Sequence, residues 1–76
     1  MGYRDILDEL KKKCIEVAKQ CDESQKGKYL AILDILREED CFKKLDAPIA
    51  LNILIDLGYG KKEAEQRYIQ ILTSEN

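Results

Sequence analysis

Apolar residues recur at helical spacing through almost the whole chain, and no segment alternates apolar with polar in the manner of a half-buried strand. From Tyr3 through Leu7, Leu10, Cys14 and Val17 to Cys21 the steps are four and three residues, which draws one stripe down a helix over 3–21. Ile6 and Ala18 widen that stripe to the breadth of a core-facing surface. Asp8→Lys12 and Glu9→Lys13 form acid-first i,i+4 pairs outside it, and Asp5, Asp8 and Glu9 suit the positive end of the helix dipole. A polar interruption follows at 22–27, where either Ser24 caps the next helix or Gly27 closes the previous one. The second helix is predicted over 25–44. Tyr29, Ile32, Leu33 and Leu36 make its main face, Leu30 lies on the flank, and Glu39→Lys43 and Asp40→Lys44 support its last turns.

Asp46 and Pro48 mark the next boundary, Asp46 as N-cap and Pro48 in the first turn, where its missing N–H is no loss. The third helix, 47–57, is apolar on nearly every side, with Asn52 and Asp56 its only polar strip, and is therefore expected to be mostly buried. Gly58 closes it in the left-handed conformation, Tyr59 and Gly60 turn the chain, and a fourth helix runs over 61–73. Its inner face is Ala64, Tyr68, Ile71 and Leu72, with Glu63→Arg67 paired outside. The resulting class is all-α: one domain, 1–76, folded as a compact four-helix bundle. Two long antiparallel helices come first, and two short ones fold across their open face with the third helix at the centre.

Composition narrows the function. The 76 residues carry 13 Lys+Arg against 15 Asp+Glu, a net charge of −2. That balance disfavours a strongly basic nucleic-acid scaffold, and 45% apolar content without low-complexity tracts excludes a solvated tail. No apolar run approaches the roughly 18 residues that span a bilayer, and no signal peptide is read, so the expected compartment is cytoplasmic. Histidine is absent. Cys14 and Cys21 share a helical face but stand about 10 Å apart along the axis, beyond disulfide or shared-zinc reach. They are expected to be small core residues, and Cys41 a free thiol. There is no Gly-rich phosphate loop, and Ser24 and Ser74 lie at a loop and a tail. The run Glu38-Glu39-Asp40 lacks the spacing of a calcium loop. An enzyme, a metal, a cofactor and a small-molecule substrate are accordingly not expected.

A chain this short draws little stability from a single core and commonly associates. Ile35 and Phe42 lie on a stripe of their own, about 120–160° from the main face of the second helix, and Ile15 stands off the stripe of the first. Ile35 and Phe42 either pack under the short helices as core or, with Ile15 and with Tyr59 as an aromatic anchor, are contacts for a protein partner or for a homodimer built on the long-helix hairpin. The segment Leu57-Gly58-Tyr59, between one helix and a second that carries Ala64, resembles the first two helices of ubiquitin-associated-like domains. The resemblance implies that Leu57, Gly58 and Tyr59 contact the partner. It covers about a quarter of the chain, departs from the family at Arg67 and Tyr68, and leaves too few residues for that family's third helix. The same stretch, 49–72, also resembles a helix-turn-helix, which implies a nucleic-acid-binding regulator, although Glu63 and Glu65 offset Lys61, Lys62 and Arg67. The leading expectation is a non-enzymatic interaction domain: a small regulator, adaptor or assembly subunit that self-associates.

Overall fold

Four α-helices make up the bundle in the computed structural model, which describes residues 2–38 and 42–74. They are α1 (Tyr3–Gln20), α2 (Glu23–Arg37), α3 (Ala47–Asp56) and α4 (Lys61–Thr73), with one 3-10 turn, Phe42–Lys44, between α2 and α3. No strand occurs among the described residues. At the start of α1 the Gly2 N–H donates to the Asp5 carboxylate at 3.3 Å, so the first-turn acid both satisfies an orphan donor and meets the positive end of the dipole. Only Cys21 and Asp22 separate α1 from α2, which forces the two helices side by side and antiparallel. Cys14 donates its thiol hydrogen to the Tyr29 carbonyl across the pair at 3.2 Å.

The second helix differs from the sequence expectation at both ends. Asp22 is its N-cap, with Gln25 N–H donating to the Asp22 carbonyl at 2.9 Å, so Ser24 and Gly27 lie within the helix rather than at its boundary. It ends at Arg37 rather than Lys44, because Glu38 turns extended at φ −85°, ψ 118°. Burial favours the break: an unbroken helix would hold Phe42 about 120° away from Leu36, off the buried face of Ile32, Leu33 and Leu36. With the axis broken, Phe42 is fully buried. Glu39 and Asp40, the acids of the expected pairs with Lys43 and Lys44, lie outside the described residues, as does Cys41.

Asp46 occupies the N-cap of α3 in extended backbone and Pro48 falls in the first turn; the cap works through its carbonyl, which accepts from Ala50 N–H at 3.0 Å. At the other end Gly58 has φ +106°. Tyr59 N–H donates to the Leu54 carbonyl at 3.2 Å and Gly58 N–H to Ile55 at 2.9 Å, the paired bonds of a Schellman closure. That closure swings Tyr59 back over α1. The helix is less buried than its composition implies. Ala50, Ile53 and Leu54 are in the core, but Ile49 and Ile55 are exposed: α3 packs mainly on α4, and among the described residues its far side faces solvent.

The core joins Tyr3, Ile6, Leu7, Leu10 and Cys14 of α1 to Ile32, Leu33 and Leu36 of α2, then Phe42, Ala50, Leu54, Leu57, Tyr59, Ala64 and Ile71. The α3–α4 pair is tied to one flank of the hairpin. Arg67 of α4 pairs with Glu9 of α1 at 3.2 Å, and Asp56 of α3 takes Lys28 at 3.2 Å and, through its carbonyl, the Tyr29 hydroxyl at 3.2 Å. Replacing Phe42 with Ala removes a fully buried ring and is expected to cost about 3–5 kcal/mol, comparable to the whole stability of so short a domain. Urea denaturation checks this, and retained cooperative unfolding near the wild-type midpoint would place Phe42 outside the core. Gly58→Ala, forced to positive φ, is expected to cost about 1–2 kcal/mol in the same assay.

Candidate docking groove

A pair of parallel cylinders leaves a valley on each side. The α3–α4 pair occupies one valley of the hairpin, and the other is open. On α1 it is bounded by Cys14, Ile15, Ala18 and Lys19, and on α2 by Lys26, Tyr29, Leu30, Leu33 and Arg37. The positions follow from helical spacing. At about 100° per residue, Ile15 and Ala18 fall on the flank of α1 opposite Glu9, which meets Arg67 of α4, and Lys13, which covers Tyr59. On α2 the steps from Lys26 to Leu30, Leu33 and Arg37 are four, three and four, a straight line along the helix. The groove measures about 380 Å³. Its walls are incompletely covered: Leu30 is 57% exposed and Ile15 40%. A second hollow of about 220 Å³ adjoins it at Arg37, bounded by Arg4, Leu7, Asp8 and Lys11.

Cys14 forms part of the floor. Burial pushes its thiol up from the ordinary range, so it is held protonated and serves as packing rather than as a nucleophile. Among the described residues no group of three or more His, Cys, Asp or Glu is placed to hold a metal ion. The larger groove therefore offers apolar surface, hydrogen-bond donors and positive charge at its ends. It is also open along its length, which suits an elongated occupant better than a small ligand that needs most of its surface enclosed.

Of the residues singled out from sequence, Ile15 alone lines this groove. Phe42 and Leu57 are fully buried and Tyr59 is 5% exposed, so none of the three stands at the surface as an anchor. Each was drawn inward by a local event: the break after Arg37 for Phe42, the glycine closure for Leu57 and Tyr59. Gly58 is exposed, and Ile35 is half-buried against the core on the α3 side of α2. The helix-turn-helix-like segment keeps Arg67 occupied, since its guanidinium pairs with both Glu9 and Glu63. Leu30, Leu33, Lys26 and Arg37 were missed as site residues. Their signal was the basic-apolar-apolar-basic line on α2, visible once Leu30 is read with Ile15 rather than with the main face.

Lys13 lies over the Tyr59 ring at 4.4 Å from its centroid and Arg67 at 5.4 Å, so two cations clamp the turn onto α1. The Tyr59 phenol and Glu9 Oε2 are both buried without a well-formed hydrogen bond. Burial first, then the Glu9 charge, raises the phenol above its ordinary range, with Arg67 acting in the opposite sense.

Compared with protein-family models, curated proteins and solved structures, the chain matches none.

Because the folded value of Tyr59 is raised, its stabilising share is complete below the free phenol value of about 10 and is lost as pH rises through the folded value. Thermal melts between about pH 8 and pH 11 are expected to show an alkaline loss that is smaller in Tyr59→Phe, while at neutral pH that variant differs from wild type by less than about 1 kcal/mol. Identical alkaline slopes for the two proteins would show that Tyr59 does not contribute.

Proposed function

We propose that this chain is a protein–protein interaction domain that presents the open α1–α2 groove to a partner. The observation that carries the reading is the pairing of Leu30 with Ile15: two large aliphatic side chains, exposed on opposite walls of one valley above a floor of Cys14 and Leu33. Scattered single hydrophobics need no explanation, but apolar side chains converging on one concave strip raise the free energy of the free protein until something covers them. The hollow on the α3–α4 side, bounded by Pro48, Leu51, Asn52, Ile55, Lys61 and Glu65, is smaller at about 230 Å³ and carries one charge of each sign, so it offers a partner less area and no charge preference.

The mode that fits is a third helix laid along two, the arrangement by which an amphipathic segment inserts its apolar face into a groove. From Lys26 to Arg37 the line on α2 is about 17 Å long, which corresponds to about three turns of an occupant helix. Such contact requires no chemistry from the chain, consistent with a role as adaptor, regulator or assembly subunit.

Site-specific photo-crosslinking tests this in cells that make the protein. A photoreactive residue at position 30 is expected to give one discrete adduct, which disappears when Ile15 on the facing wall is changed to Asp. The same residue at position 62, on exposed α4, should give none. Equal labelling from positions 30 and 62, or no adduct from either, would overturn the reading. An adduct of twice the 8.8 kDa chain mass would identify a second copy as the occupant.

A further inference from the structure

Resting on the reading of the α1–α2 valley as a docking groove, the geometry points to an acidic amphipathic helix of another protein as its occupant. The chain as a whole is net acidic, 15 carboxylates against 13 bases. Yet the charged side chains bounding the larger groove are Lys19, Lys26 and Arg37, and among the described residues no carboxylate lines it. Where the valley continues past Arg37, its lining includes Lys11, which pairs with Asp8 at 3.9 Å. Bases therefore stand at both ends of an apolar strip, Lys19 and Lys26 by the α1–α2 connection and Arg37 at the far end.

Among the described residues, the acids paired with Lys26, Arg37 and Lys11 hold them only loosely. Glu23 meets Lys26 at 3.1 Å, Asp34 meets Arg37 at 3.9 Å and Asp8 meets Lys11 at 3.9 Å. All are i,i+3 pairs on the same helix, with largely exposed carboxylates, and such pairs hold little energy against a competing partner. A helix lying in the groove with leucine-type residues inward and carboxylates along both edges would meet Lys19 on one wall and Lys26 and Arg37 on the other. Its apolar face would cover Ile15 and Leu30.

Charge also selects against a second copy of this chain. In a two-fold pairing through this face each copy presents the same patch, so basic walls would meet basic walls at short range. A flat anionic surface is a poorer fit than a helix, because the apolar strip lies recessed between two helices. The positive charges flank a concavity rather than project from a convex face.

Fluorescence anisotropy with labelled peptides tests the proposal on the intact chain. The probes are an acidic amphipathic peptide of about 12 residues with leucines at helical spacing, its twin with every Glu changed to Lys, and a scrambled form of the acidic peptide. The expected result is saturable binding of the acidic peptide, with the basic twin and the scramble each weaker by about tenfold or more. Binding should weaken as salt rises from about 50 to 300 mM. Lys19→Glu, Lys26→Glu and Arg37→Glu combined should reverse the preference between the twins, with circular dichroism confirming retained helicity. Leu30→Asp alone should abolish binding, and it serves as the independent variant if the triple change unfolds the chain. Equal affinity for both twins, acidic-peptide binding that survives both Leu30→Asp and the charge reversal, or tighter binding to anionic phospholipid vesicles or duplex DNA would overturn the proposal. If the peptides fail while position 30 still crosslinks to a discrete protein, the acidic-helix assignment falls and the docking groove stands. If both fail, the groove itself is not a docking surface.

Discussion

Two helices joined by two residues have no choice but to lie side by side, and a side-by-side pair has two valleys. The described residues after 41 pack into one of them. The 3-10 turn delivers Phe42 to the interior, and α3 and α4 bring Leu54, Leu57, Tyr59, Ala64 and Ile71 against the same face of the hairpin. Among the described residues no further element covers the opposite valley, and the lining of that groove decides what it can receive.

The filled valley is held by a short series of directional contacts. Gly58 alone tolerates the positive φ that ends α3 and returns the chain, and the ring that follows it is fixed beneath Lys13 and Arg67. Arg67 then reaches Glu9, while Asp56 gathers Lys28 and the Tyr29 hydroxyl at the other edge. These contacts set which flank of α1 faces α4, and by default which flank is left to solvent. The run Lys11-Lys12-Lys13 shows the effect clearly. Successive side chains on a helix point about 100° apart, so Lys11 borders the open valley, Lys12 faces water and Lys13 covers Tyr59. What looks in sequence like one basic cluster is three residues with three separate environments.

Much of the bundle was legible from spacing alone. The stripe on α1, the face on α2, the Asp46–Pro48 start of α3, its glycine closure and the limits of α4 all rest on local rules that operate within a few residues, and they appear in the structure as those rules require. The candidate contact residues were less legible. Phe42 and Tyr59 are large and aromatic, the marks of interface anchors, but Phe42 is off-stripe only relative to a continuous helix axis and Tyr59 belongs to a turn. The break after Arg37 and the closure at Gly58 direct both side chains into the core. Ile15 and Leu30, by contrast, sit on unbroken stretches of helix away from the packed faces and are exposed.

The sequence by itself determined the all-α class, the number of helices and the residues that end α3, because backbone propensity, capping and the period of hydrophobic positions are encoded locally. The tertiary structure decided where α2 stops, which of the two hairpin valleys is closed, and which basic side chains converge on the open one. Those outcomes depend on residues far apart in the chain, such as Glu9 with Arg67 or Ile15 with Leu30, whose proximity exists only after the helices have packed.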